Sequence, residues 1–145
     1  MKSNKPVIVI INGPNLNLLG IRQKDIYGEK SFEEFLPELR SHFSEIQINY
    51  YQSNHEGDII DLLHQYGFKS SGIILNAGGY THSSIAIRDA ISSITTPVVE
   101  VHISNIKERE SFRHFSYLEE VCIESIIGEG LKGYFKGIER IIKET

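Results

Sequence analysis

The stretch PVIVIINGPNLNLLGIRQKDIYG, residues 6–28, decides how the rest of the chain is read. Its first six residues are apolar and largely β-branched, the pattern of a strand. The residues after them include too many Gly, Pro and Asn for a helix start and too few charges for a solvated linker. A long polar loop therefore leaves the carboxyl end of a strand, and near its end it carries Arg22 and Tyr27.

Four more apolar, β-branched runs lie at 46–52, 72–75, 98–101 and 121–127, after the first at 7–11. Helix-like segments separate them. The segment 31–44 opens with Ser31 and has Glu34 three residues on, the signature of a capping box. Pro37 predicts a kink or a late start there. Glu56–Tyr66 places Ile59, Leu62, Leu63 and Tyr66 on one face, and 82–94 does the same with Ile85, Ala86, Asp89, Ala90 and Ser93. A short polar segment at 105–110 and a closing helix at 131–143 complete the pattern. Strands alternating with helices imply a parallel sheet with right-handed crossovers. Five strands at this length fit an α/β, flavodoxin-like, three-layer fold with strand order 2-1-3-4-5.

Bulk composition limits the function classes. A chain of 145 residues suits one domain spanning 1–145. A net charge of −4, with no Lys or Arg run, argues against nucleic acid or an anionic membrane as partner. No apolar stretch approaches the ~20 residues that span a bilayer, and the start MKSNKPVIVIING lacks the pattern of a signal peptide. The expected location is cytoplasmic. The single cysteine, Cys122, precludes an internal disulfide and a Cys-based zinc site, and its apolar surroundings read as a buried structural thiol.

The carboxyl ends of strands 1, 3 and 4 are where such a sheet binds ligands. After strand 3 comes NAGGYTHSS, with Asn76, a glycine pair and His82. The helix behind the glycines offers N–H groups to a carboxylate or phosphate, although an ordinary turn is an equal reading. His82 reads as a site residue or as a solvated helix-start residue. At the end of strand 4, EVHISN puts Glu100 and His102 on one side of the strand. That pair reads as a general acid or base oriented by a carboxylate, or as a structural hydrogen bond. Ser104 and Asn105 fit a helix cap that also presents donors. In the first loop, a guanidinium ~4 Å from a phenol favours the phenolate by roughly 4 kcal/mol at an effective dielectric of ~20. Desolvation opposes this. An Arg22–Tyr27 contact is one route to a tyrosine base; a loop tyrosine packed without a catalytic role is the other. Lys24 and Asp25 read as solvated.

The chain has no Walker loop, no Gly-x-Ser-x-Gly elbow, no His-Glu-x-x-His and no metal-ligand spacing among its six histidines. What remains is an acid/base site without metal or cofactor, suited to proton abstraction beside a carbonyl with loss of a β-hydroxyl.

The stretches INGPNLNLLGIR, YG, QSNHEGDIID, ILNAGGYTHSSIAIRDAI, PVVEVHISNIKERESFRHFSY and IIGEGLKGY, in this order, resemble type II 3-dehydroquinate dehydratases and cover nearly the whole chain. The resemblance implies a cofactor-free lyase that converts 3-dehydroquinate to 3-dehydroshikimate and water, by anti elimination through an enolate. It implies Tyr27 as a tyrosinate base for the C2 proton, with Arg22 tuning it, and Asn15 stabilising the enolate. His102 then protonates the departing C1 hydroxyl, oriented by Glu100. Asn76, Ile103 and Ser104 bind the substrate carboxylate, and His82 and Arg113 the ring hydroxyls. Arg109 lies near the lid. The resemblance also implies homo-oligomers, trimers packed into a dodecamer, with Asp89 reaching a neighbour's site. Many members of that family carry Glu-Pro after the lid arginine, where this chain has Gln23 and Lys24; a lid without that proline is expected to be more mobile when open.

Two other readings compete. A flavin- or nucleotide-binding module of the same fold requires a Ser/Thr-rich phosphate loop after strand 1, unlike NGPNLNLLG. A non-catalytic scaffold predicts damage among Arg22, Tyr27 and His102, all of which are present.

Overall fold

The computed structural model describes residues 4–144. Strands β1 (Val7–Asn12), β2 (Gln47–Gln52), β3 (Gly72–Asn76), β4 (Val98–His102) and β5 (Glu124–Ile127) form one parallel sheet in the order β2-β1-β3-β4-β5. The helices are a single turn, α1 (Lys24–Tyr27), and the longer α2 (Phe32–His42), α3 (Glu56–Tyr66), α4 (Ile85–Ser93) and α5 (Lys132–Glu144).

Alternation along the strands divides the core between the two faces of the sheet. Ile8 and Ile10 of β1, with Ile74, Val99 and Val101, pack under Phe32 and Leu39 of α2 and Tyr134 and Ile138 of α5. Val9 and Ile11, with Ile73 and Leu75, pack under Ile59 and Leu63 of α3 and Ile87 and Ile91 of α4. The central strands β1 and β3 are covered on both faces, which is why they read as continuous apolar runs. Burying each Val, Leu or Ile contributes roughly 1.5–3 kcal/mol. The interior fixes the strands, and so fixes where their carboxyl ends lie. Among the described residues, no helix is long and apolar enough to cross a membrane.

Several boundaries differ from the sequence expectation, each for a local reason. α2 begins at Phe32 despite Pro37. Ser31 Oγ accepts the Glu34 N–H at 3.1 Å while the Glu34 carboxylate accepts the Ser31 N–H at 3.3 Å, and this capping box starts the helix ahead of the proline. The expected helix 82–94 splits into a 3₁₀ turn, Gly78–His82, and α4, because Ser84 Oγ accepts the Ile87 N–H at 2.9 Å and starts a new helix. The polar segment 105–110 contains the 3₁₀ turn Ile106–Glu108, and a second turn, Ser111–Arg113, follows it. β5 starts later than expected because the Val121 and Cys122 N–H groups are taken by the Leu118 carbonyl in a turn over Glu119–Val121. Cys122 is half-buried beside it. Burial, and then the charge of Glu100, push its thiol above the ordinary range, as suits an inert structural cysteine.

Candidate active site

The loops after β1 and β3 meet backbone to backbone. The Gly13 N–H donates to the Asn76 carbonyl at 2.7 Å, and a Cβ on Gly13 would lie 2.6 Å from the Ala77 oxygen. Gly78 adopts φ +60 against the Pro14 carbonyl, a conformation that favours glycine. Gly79 has open space and an ordinary φ, so the glycine pair of the sequence divides into one required position and one free one. Beneath this junction Tyr134, fully buried on α5, donates its hydroxyl to Asn12 Oδ1 at 2.8 Å and accepts from Asn76 Nδ2 at 3.1 Å. Asn76 Oδ1 accepts the Gly78 N–H at 3.2 Å. The Asn76 amide is thus held from both ends.

A polar cavity of about 180 Å³ opens over these loops. Pro14, Asn15 and Leu16 line it from the β1 loop, Asn76, Gly78, Gly79 and His82 from the β3 loop, and His102, Ile103 and Ser104 from the end of β4. Arg22, Tyr27, Arg109 and Arg113 complete the lining. The fold thereby gathers ten of the twelve candidate site residues. Glu100 lies buried behind His102, and Asp89 sits on α4, outside the cavity. A larger, mostly apolar groove of about 420 Å³ lies at the amino ends of β1 and β3, between Pro6, Phe43, Ile46, Ser71 and Ile142, at the opposite end of the sheet from this chemistry.

The loop after β1 places Tyr27 between two cations. The guanidinium carbon of Arg22 lies 4.9 Å from the Tyr27 ring centroid, and that of Arg109 lies 5.6 Å away. The hydrogen bond to the Tyr27 hydroxyl comes from Arg109, whose Nη1 donates at 2.7 Å. The same Nη1 lies 3.3 Å from Ser104 Oγ, and His114 Nε2 donates to the Arg109 carbonyl at 2.9 Å, tying that loop down. The spacing in the sequence points to Arg22 as the partner of Tyr27. Arg22 does approach it, but covers the ring face rather than bonding the hydroxyl. Gln23, between them, enters α1 in the left-handed region at φ 43. A proline at position 24 would push Gln23 toward extended backbone, so this approach depends on Lys24.

At the end of β4, Glu100 and His102 do share a side. His102 Nε2 donates to Glu100 Oε2 at 2.7 Å, which leaves Nδ1 for the cavity. Glu100 accepts three further hydrogen bonds, from Thr81 Oγ1, from Ser116 Oγ at 2.7 Å and from Ser125 Oγ at 2.6 Å. Burial opposes its ionisation, but the bonds and positive charge of His102, with those hydroxyl donors, outweigh it and hold the carboxyl at about 2. His82 donates Nδ1–H to the Phe115 carbonyl at 2.8 Å and stacks on His102 with 6.4 Å between centroids. Burial, ahead of any neighbour, lowers its pKa. In the neutral ring, Nε2 is then an acceptor. Arg113 Nε donates to Glu110 at the rim.

The expectation on anion binding changes, and the capping expected of Ser104 and Asn105 is met by Asn105. The N-terminus of α4 lies outside the cavity, with Ser84 taking one of its free N–H groups, so the 3₁₀ turn Gly78–His82 is what faces the site. Asn105, not Ser104, caps the next turn, accepting the Lys107 N–H at 3.1 Å. Sequence reasoning missed Thr81, Ser116, Ser125, Tyr134 and His114. Ser125 alone carried a readable sign: a hydroxyl inside an apolar run, directly opposite Glu100 in the sheet register.

The class II dehydroquinase family model (Dehydroquinase class II) matches residues 6–142. The chain belongs to the class II dehydroquinase family. A 3-dehydroquinate dehydratase of Exiguobacterium sp. is 54% identical over 137 residues, covering 94% of each chain. One from Halothermothrix orenii is 49% identical, covering 93% of each. The crystal structure of type II dehydroquinase from Butyrivibrio crossotus is 46% identical, with a TM-score of 0.90 over 95% of this chain and 98% of that one. The sheet order and the α/β layering are those of type II dehydroquinase structures. This dehydroquinase is an enzyme of the dehydratase class, and the polar cavity at the carboxyl ends of its strands is its candidate active site.

Proposed function

We propose that the enzyme dehydrates 3-dehydroquinate to 3-dehydroshikimate by anti elimination through an enolate. Tyr27, as tyrosinate, takes the C2 proton beside the ketone. The C2–H electron pair moves into the enolate, whose oxygen is stabilised by the network around Asn15. The enolate then collapses, the C1–O bond breaks, and His102 delivers a proton from Nδ1 so that the hydroxyl leaves as water. The observation that carries this reading is the pairing across one cavity. On one side a tyrosine hydroxyl is held by Arg109 with Arg22 over its ring, and on the other a histidine is backed by an ionised Glu100. Both guanidinium groups stand where they stabilise negative charge on the tyrosine oxygen, and the Glu100 carboxylate stands where it stabilises the imidazolium.

Asn76, with Ile103 and Ser104, binds the substrate carboxylate, and His82 and Arg113 take the ring hydroxyls. Their places around the cavity support these roles. Among the described residues no lysine lines it, so borohydride added with substrate is expected to leave no covalent adduct. Asp89 reaches a neighbouring subunit's site in a trimer packed into a dodecamer; its exposed position on α4, outside its own cavity, supports that reading. Light scattering on the eluted protein tests that assembly. A cytoplasmic location goes with this reading. The decisive experiment is a direct ultraviolet assay for the conjugated enone with 3-dehydroquinate as substrate. Absorbance growing with time at a rate proportional to enzyme supports the reading, and no enone above the uncatalysed rate overturns it.

A further inference from the structure

Glu100 is 1% exposed, yet every one of its hydrogen-bond partners among the described residues is a donor. His102, Thr81 and Ser116 converge on Oε2, and Ser125 holds Oε1. The three hydroxyls come from three elements: the turn Gly78–His82, the loop after Ser111–Arg113, and β5. Their neighbours constrain the protons of Ser116 and Thr81. Ser116 Oγ accepts the Leu118 N–H at 3.1 Å and the Glu119 N–H at 3.2 Å, which fills its two acceptor positions. Its own proton must therefore point away from those amides, toward Glu100 Oε2 at 2.7 Å or Thr81 Oγ1 at 2.9 Å. Thr81 Oγ1 lies 2.9 Å from Ser116 Oγ but finds no acceptor position left there, so its proton goes to Glu100.

We propose that Thr81, Ser116 and Ser125 are positioning residues for the acid step, a cradle of hydroxyl donors that pins both oxygens of Glu100. The inference rests on the acid role of His102 in the elimination. Pinned at both oxygens, the carboxylate cannot rotate, so His102 is aimed with Nε2 inward and Nδ1 toward the cavity. Because the hydrogen bonds of the cradle favour the ionised carboxylate, Glu100 orients the imidazolium without taking its proton. The proton released to the leaving hydroxyl then comes from Nδ1 alone. The other titratable groups facing Glu100 are His82, from the turn after β3, and Cys122, beside the turn Glu119–Val121. Neither bonds to it.

Ser125 gives the cleanest test, because it alone holds Oε1 and caps nothing. Ser125→Ala should lower kcat by about tenfold, the loss expected for one hydrogen bond to a charged group. KM should stay within about twofold, since none of the three hydroxyl residues lines the cavity. Ser125→Thr, which restores the hydroxyl, should recover most of kcat. Carbon-13 NMR of the Glu100 carboxyl gives a readout independent of turnover: its titration midpoint should rise by up to about one pH unit in Ser125→Ala. Ser116→Ala, which also loses a cap, should show the same rise in the fraction that remains folded. An unmoved midpoint in Ser125→Ala overturns the cradle, as does a loss of kcat and KM together that Ser125→Thr fails to rescue. His102→Ala is the control. If it keeps wild-type turnover, the acid assignment fails, and the positioning role falls with it even where the carboxyl midpoint moves.

Discussion

The two ends of the reaction are built differently. The His102 end lies at the close of a central strand. Glu100 and His102 are buried, both oxygens of the carboxylate are bonded, and the hydroxyl donors arrive from three elements. The Tyr27 end is a one-turn helix on a loop. None of its four residues is buried, its entry residue is left-handed, and its tyrosine is held by two arginines and one hydrogen bond. Under the proposed mechanism, the difference teaches that this fold fixes the acid and delivers the base. In that mechanism the acid needs a preorganised carboxylate that survives substrate entry and product release, and the base is carried on the segment better able to move aside for both.

The comparison breaks most directly at Tyr27. Tyr27→Phe should lower turnover on the order of 10³-fold, within the range for loss of a general base, while product still binds. Retention of a tenth of the wild-type rate would remove Tyr27 as the base. Arg109 and Arg22 divide the next effect unequally. Arg109 donates to the hydroxyl, so Arg109→Ala should lower kcat by about 10–100-fold, the loss expected for a charge-assisted bond of roughly 1.5–3 kcal/mol. Arg22→Ala removes a contact with the ring face of roughly 0.5–1 kcal/mol and should cost less. Steady-state kinetics on the two variants check the order; a larger loss from Arg22 would reverse the assignment made from the geometry.

The acid end makes a prediction in pH. Glu100 is held at about 2 in the folded protein, against an ordinary glutamate value of ~4.3. A carboxyl depressed by folding stabilises the fold above its unfolded value, and that contribution is lost as pH falls through the folded value. Acid unfolding should therefore steepen between about pH 4 and pH 2. Glu100→Gln should flatten that part of the curve, measured by urea midpoints at each pH. Equal slopes in the two proteins would show that the cradle holds no ionised carboxylate. The Tyr134 phenol beneath the floor should matter less. Tyr134→Phe leaves Asn12 and Asn76 each short of a partner and should cost about 1–3 kcal/mol of stability, read from the shift in the urea midpoint.

Much of this is legible in the sequence, and the reasons are specific. Strands such as VIVII and GIILN announce themselves because they are buried on both faces. The topology rule then selects the loops at their carboxyl ends before any side chain is placed. Glu100 and His102 are readable because strand alternation fixes which residues share a side. Arg109 as the partner of the tyrosine hydroxyl is not, since 82 positions separate the two and only the tertiary fold brings them together. The same holds for Ser116, which reads as one serine among many until its acceptor positions are counted. Tyr134 looks like any aromatic on an amphipathic helix; only its two asparagine partners reveal its polar duty.

The smallest effect tests the lid itself. Local opening is easiest where few apolar contacts are buried, and α1 buries none of its residues. Amides of Arg22, Ile26 and Tyr27 should exchange faster than those of Val99 and Val101 in the free enzyme, and should slow when product is bound. Lys24→Pro sharpens the point. A proline there favours an extended residue 23, so it must either reshape the entry to α1 or strain Gln23. The variant should then show altered protection over 22–27 in the bound state, with the β4 amides unchanged. If the wild-type lid is as protected without ligand as with it, the base is as fixed as the acid. The asymmetry between the two ends would then lie in their construction alone, not in their motion.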